Sequence, residues 1–258
     1  MSKKVFIGVG HGGNDPGASK YLVEKDVNLV MATACKNYLE ANGVVVKMSR
    51  TKDENDAIGE EVKECNAFDP DLAVDVHNNA GGGDGFEVIH AIKGGVSKTL
   101  AQNIESEVKK IGQNSRGLKT RANSKGGDYF AFIRSVKCPS VIVEGLFVDN
   151  VVDVKIADTL EEQRAFGKAY AKGILKTLGV TPTTTTTLLT TDKSFKVKVT
   201  IKDLNIRSGA GTNYDKKGYI APGVYTITQT KKGAGSSKGW GKLKSGAGWI
   251  SLDFAERV

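Results

Sequence analysis

The tract Thr181-Pro182-Thr183-Thr184-Thr185-Thr186-Thr187-Leu188-Leu189-Thr190-Thr191 limits the possible folds more than any other feature. Eight of its eleven residues are threonine, and it shows neither helical nor strand alternation. Such a segment cannot bury a core, so it reads as a linker between two separately folded parts. Residues 180–193, fully extended, reach on the order of 45 Å at ~3.3 Å each. Charge divides at the same place. Residues 190–258 carry 13 Lys plus Arg against 5 Asp plus Glu, a balance of +8 that equals the net charge of the whole chain, while residues 1–189 carry 24 of each sign. The expected division is residues 1–180, a linker at 181–192, and a basic unit at 193–258.

Before the linker, apolar runs of strand length alternate with stretches of helical spacing. Val5–Val9, Val44–Met48, Leu72–Val76, Phe86–Ala91, Tyr129–Ile133 and Ser140–Val143 read as strands. Asp26–Ala41, residues 54–65, Val96–Ile111 and Thr159–Leu178 read as helices. This alternation predicts an α/β fold: a central, mostly parallel, twisted sheet with helices on both faces. After the linker, short strand-like pieces (Phe195–Ile201, Gly218–Ile220, Val224–Thr228, Trp240–Leu243, Gly248–Ile250) are separated by Gly-, Asn- and Lys-rich turns, the pattern of a small all-β barrel.

Hydrophobic residues make up 39% and charged residues 26%, which excludes wholesale disorder. No apolar run approaches the ~20 residues a membrane span needs. The start, Met1-Ser2-Lys3-Lys4 before Val5–Val9, has too short an apolar stretch for a secretory signal, so synthesis in the cytoplasm is expected. Three cysteines (Cys35, Cys65, Cys138), with no Cys-x-x-Cys, argue against a disulfide scaffold or a zinc finger.

Gly8-Val9-Gly10-His11-Gly12-Gly13 satisfies G-x-G-x-x-G after a strand, the fingerprint of dinucleotide binding. That motif needs its last glycine to open a helix. Here Asn14-Asp15-Pro16-Gly17 follows, a turn sequence, so a nucleotide site is not expected. The chemistry is read better from the three histidines, His11, His77 and His90. His11 follows the first strand, His77 follows Leu72–Val76, and Glu144 ends the run Ser140–Val143. In open α/β sheets ligands bind beyond the carboxyl ends of the strands. Three strands thus send two imidazoles and a carboxylate to one edge. Two histidines with a carboxylate suit a catalytic zinc that leaves one position open, and a further carboxylate is then needed as general base. Glu24 and Glu144 are the available pair, and the pattern alone leaves open which is ligand and which is base. His90 alternates with Val88 and reads as a strand residue. Tyr129 and Phe132 fall in a strand-like segment near the expected site edge.

The segments Gly10-His11-Gly12-Gly13-Asn14-Asp15-Pro16-Gly17-Ala18, Glu24-Lys25-Asp26-Val27-Asn28-Leu29 and Val76-His77-Asn78-Asn79-Ala80 resemble the zinc-dependent N-acetylmuramoyl-L-alanine amidases of the third amidase family. Ser49-Arg50-Thr51, Asn66, and Val143-Glu144-Gly145-Leu146-Phe147 with Asn150 are similar to further stretches of that family, in its order, over roughly residues 3–178. The resemblance implies zinc ligands at His11, Glu24 and His77, with Glu144 as catalytic base. Three departures stand out: Gly8-Val9 where the family often has Asp-Pro, Asp75 where it usually has Ser, and the order Gly145-Leu146. Asp75 lies two residues before His77, so a strand points both side chains to one face, and a carboxylate there can orient the imidazole.

Ile201 to Tyr214, Gly239-Trp240-Gly241-Lys242-Leu243 and Gly246-Ala247-Gly248-Trp249-Ile250 resemble bacterial SH3-like domains, which commonly attach enzymes to cell walls. Together the resemblances imply a peptidoglycan hydrolase that uses Zn2+ and is held on the wall by its basic C-terminal part. Expected partners are peptidoglycan and its anionic wall polymers. Nucleic acid is not expected, since no recognition helix or aromatic-interleaved basic groove is visible. A phage endolysin, acting at the wall after release from the host cytoplasm, is the expected setting, with a bacterial autolysin or sporulation amidase as runner-up. A non-catalytic wall-binding protein and a zinc peptidase of the stem peptide are the alternatives. Oligomeric state is not readable from the pattern.

Overall fold

Five of the six residues of β1 (Lys4–Val9) are buried, as the apolar run Val5–Val9 between two parallel neighbours should be. The computed structural model describes residues 2–182 and 194–258. Contacts divide the chain into units 1–182 and 183–258. Residues 183–192 of the expected linker lie outside the described residues.

In the N-terminal unit β1 is followed by α1 (Glu24–Ala41), β2 (Val45–Met48), α2 (Ile58–Phe68), β3 (Leu72–Asn79), β4 (Phe86–His90) and α3 (Val96–Lys109). Next come β5 (Ser115–Lys119), α4 (Ala131–Ser135), β6 (Ser140–Phe147), α5 (Val151–Val154) and α6 (Leu160–Leu178). The strand order is β2-β1-β3-β6-β4-β5. Neighbours pair in parallel, except that β4 runs antiparallel to β6, so the sheet is mixed.

Strand periodicity distributes the core. Val5, Ile7, Val9, Val74, Val76, Val141 and Val143 meet Val27, Met31, Leu100, Ile104, Phe166 and Tyr170 of α1, α3 and α6. Phe6, Ala73, Ile89 and Ile142 point the other way, to Cys65 of α2 and to Phe132 and Ile133 of α4. Helices therefore cover both faces, as expected. The longest, α6, starts at a Thr159–Glu162 capping box and stops at Gly179, whose φ of 65° no β-branched residue would favour.

Four local readings need correction. Tyr129–Ile133 is not a strand: Ala131–Ser135 forms one helical turn, whose Phe132 and Ile133 fill the second core. Ser115–Lys119, with only half-buried and exposed residues, carries no apolar signal yet is a paired edge strand. The helix expected at 54–65 begins at Ile58. Strands β3 and β6 run on to Asn79 and Phe147, so His77 and Glu144 lie within strands rather than just beyond or at their ends.

The C-terminal unit is a separate all-β sheet. Its strands are β7 (Phe195–Val199), β8 (Leu204–Arg207), β9 (Lys216–Ile220), β10 (Gly223–Lys231), β11 (Trp240–Leu243), β12 (Trp249–Ser251) and β13 (Ala255–Arg257). They pair antiparallel in the order β13-β7-β10-β11-β12-β8-β9 around Val197, Val199, Ile227, Leu243 and Ile250.

Candidate metal centre

Three elements converge near the carboxyl-terminal side of the sheet: the turn after β1, the start of α1 and the late part of β3. His11 sits two residues after β1 with a φ of 63°, an uncommon conformation for a non-glycine residue that turns its ring back over the sheet edge. Gly10 makes this possible, since a Cβ there would collide with the His77 ring. Arg50, buried to 2% exposure, pins the turn by donating to the carbonyls of Val9, Gly10, Lys25 and Lys52. Glu24 opens α1, and its Oε2 accepts from the Ala18 amide.

One carboxylate oxygen joins the two imidazoles. Glu24 Oε1 lies 3.2 Å from His11 Nε2 and 3.1 Å from His77 Nδ1. Among the described residues His11, Glu24 and His77 form a metal-competent group, one ligand atom from each lying within 4.8 Å of the others. The opposite ring nitrogens are held by two more carboxylates: His11 Nδ1 is 2.8 Å from Asp15 Oδ2, and His77 Nε2 is 3.3 Å from Asp75 Oδ2. Each imidazole is thus oriented from behind while its free nitrogen faces Glu24, the pattern of carboxylate-supported metal ligands.

Electrostatics favour a cation at the centre. The Glu24 hydrogen bond draws the His11 pKa up. Burial opposes charge on His77, yet Asp75 and Glu24 raise its pKa well above the usual range. Burial alone would raise Glu24 too, but the two histidines hold its carboxyl below the ordinary value. A pocket that pulls protons onto both imidazoles is short of positive charge. Two imidazole nitrogens and a carboxylate oxygen converging on one point fit Zn2+, which would meet that shortage in competition with protons.

Glu144 comes from the neighbouring strand. The register pairs His77 with Glu144 and Glu144 with Glu87, so three adjacent strands set these side chains in one row. Burial pushes the Glu144 carboxyl up to about 7, with His77 acting against the shift. Arg116 Nε binds Glu87 Oε1 at 2.6 Å and compensates the second acid of the row.

All four residues singled out in the sequence therefore meet at one sheet edge. His90 is buried elsewhere, its Nδ1 2.8 Å from the Ala91 carbonyl oxygen. Tyr129 and Phe132 belong to the opposite end of the sheet: Phe132 is core, and Tyr129 stacks under Arg121 at 3.8 Å. Sequence reasoning passed over Glu61 and Glu87. Glu61 is 4% exposed on α2, and a Cβ on Gly8 would collide with both its Oε1 and Asp75 Oδ1. Burial, then the Asp75 charge, raises the Glu61 pKa well above the ordinary value. An acid inside an amphipathic helix gives no signal of its own. Gly8 and Asp75 did, as departures from the family pattern, and they are register partners on β1 and β3.

The family model described as N-acetylmuramoyl-L-alanine amidase matches residues 5–176. The chain belongs to the N-acetylmuramoyl-L-alanine amidase family. It is 31% identical over 222 residues to the sporulation-specific N-acetylmuramoyl-L-alanine amidase of Bacillus subtilis, covering 84% of this chain and 82% of that protein. An endolysin of Bacillus phage SPP1 is 31% identical over 190 residues, 70% of this chain and 68% of the endolysin. Among solved structures, the catalytic domain of the amidase CwlV from Bacillus (Paenibacillus) polymyxa var. colistinus superposes with a TM-score of 0.62 at 26% identity, covering 69% of this chain and 99% of that one.

Proposed function

We propose that the chain hydrolyses the amide between N-acetylmuramic acid and L-alanine in peptidoglycan. The observation that carries this reading is the convergence of His11 Nε2, Glu24 Oε1 and His77 Nδ1 on one point, with Glu144 in the same register row as His77. His11, Glu24 and His77 would hold Zn2+, which supplies Lewis acidity toward the scissile carbonyl and acidifies an attacking water. Asp15 and Asp75 keep the two imidazoles turned toward the centre. Glu144 accepts the proton of the attacking water as the oxygen–carbon bond forms, then delivers it to the alanine nitrogen as the carbon–nitrogen bond breaks. A partly buried carboxylate outside the ligand set suits that exchange better than Glu24, which both histidines hold ionised.

Glu144→Gln should lower the rate of wall hydrolysis by about 10²–10⁴-fold while bound zinc and thermal midpoint stay unchanged. Retained activity would transfer the base role elsewhere. Chelation should stop lysis of purified walls, and added Zn2+ should restore it.

The basic C-terminal sheet, as an SH3-like module tethered through the Thr-rich segment, would keep the enzyme on peptidoglycan and its anionic polymers. The match to a phage endolysin supports synthesis in a host cytoplasm and action at the wall after release, while the match to a sporulation amidase supports a bacterial setting. A neighbouring holin gene would favour the phage.

A further inference from the structure

The outward face of β7, β10 and β11 in the C-terminal sheet is rich in lysine and threonine. Along β7, Val197 and Val199 are buried while Lys196 and Lys198 point outward. Along β11, Leu243 is buried while Lys242, and Lys244 just beyond the strand, are exposed. Strand β10 runs between them. Lys196 pairs with Thr226, and the Lys244 amide donates to the Thr226 carbonyl, so Lys196, Thr226 and Lys244 form a row across three strands. Thr228 Oγ1 lies 3.4 Å from the Lys242 carbonyl oxygen and extends the threonine line. The outer lysine rows are on the order of 10 Å apart, two strand spacings. Among the described residues no ion pair forms within the C-terminal unit, and the acid on this face is Glu256, opposite Lys198. Lys196, Lys242 and Lys244, with Lys198 opposite Glu256, therefore flank a strand whose outward residues are Val224, Thr226 and Thr228.

We infer that this face docks a phosphodiester-linked wall polymer along β10. Phosphates spaced along a flexible chain can each meet a lysine from either side while the threonine hydroxyls contact the linking groups. Bases have no aromatic platform here, since the floor is Val224, Thr226 and Thr228, which disfavours single-stranded nucleic acid. The inference rests on reading the chain as a wall hydrolase and assigns its attraction to the wall to one surface rather than to net charge.

The test compares two full-length variants with the same loss of charge. One carries Lys196→Gln, Lys198→Gln, Lys242→Gln and Lys244→Gln. The other carries Lys202→Gln, Lys216→Gln, Lys217→Gln and Lys232→Gln, exposed lysines outside β7 and β11. Binding to purified walls at about 50 mM salt should fall on the order of tenfold in the first variant and much less in the second. The paired variants Lys196→Gln/Lys198→Gln and Lys242→Gln/Lys244→Gln should each show part of the loss, which keeps the test valid should the fourfold variant not fold. Walls stripped of phosphodiester polymer by hydrofluoric acid should bind the unsubstituted chain as weakly as the first variant binds intact walls. Equal losses in the two fourfold variants, or undiminished binding to stripped walls, would overturn the assignment. Hydrolysis of a soluble muramyl peptide, followed in parallel, reports on the hydrolase reading alone, so failure of one is distinguishable from failure of the other.

Discussion

At the scale of single residues, the centre depends on what stands behind the two imidazoles. Asp75 faces His77 Nε2 and is itself 2% exposed, so it accepts from that nitrogen and turns Nδ1 toward Glu24. Asp75→Asn should weaken zinc binding by about 10–100-fold, measured by chelator competition, with little change in helix content. Unchanged affinity would reduce Asp75 to a structural acid. The i, i+2 spacing of Asp75 and His77 made this contact legible from a single strand. The Glu61 side chain was not legible, because it reaches Asp75 only through the packing of α2 beside β1 over Gly8. Glu87 was hidden for a similar reason: it joins the row of His77 and Glu144 through an antiparallel pairing that no local pattern announces.

At the scale of elements, long amphipathic helices and all-apolar strands could be read directly, whereas short or weakly apolar pieces could not. The single turn of α4 looked like a strand because its aromatic run satisfies either period. The edge strand β5 was invisible because one face of it meets solvent. Helix contact brings its own constraint. A Cβ on Gly167 of α6 would collide with the Met31 carbonyl oxygen of α1, so the two helices cross at backbone distance. Gly167→Ala should destabilise the N-terminal unit by about 1–3 kcal/mol despite alanine's better helix propensity, seen by far-ultraviolet circular dichroism during denaturation. In the C-terminal unit, Asp253 accepts hydrogen bonds from the Lys238 amide and from the Ser237 hydroxyl and amide, which lower its pKa from 3.8 to about 2. A carboxyl with a depressed folded-state pKa stabilises fully above its unfolded value and loses that contribution as pH falls. Stability of this sheet should therefore decline between about pH 4 and pH 2, and Asp253→Asn should flatten that decline. Both tryptophans, Trp240 and Trp249, belong to this unit, so intrinsic fluorescence reports on it selectively.

At the scale of the whole molecule, charge and chemistry occupy different parts of the chain. The described N-terminal residues carry the metal-competent group, and residues 190–258 carry the entire positive excess. Lysis of intact walls should accordingly weaken as salt rises from about 0.05 to 0.5 M, because screening shortens long-range attraction. Hydrolysis of a soluble muramyl peptide should respond far less. Equal salt responses would place the attraction to the wall elsewhere. The threonine tract and the charge division made two parts readable from composition alone, while the lysine-flanked face proposed to meet the wall emerged only once β7, β10 and β11 were aligned. The bond that is cut remains the decisive quantity. Mass spectrometry of purified peptidoglycan digested by the zinc-loaded chain should yield stem peptides beginning at L-alanine and glycan strands whose muramic acids bear free lactyl carboxylates. Fragments cut within the stem peptide or between sugars would contradict the amidase reading.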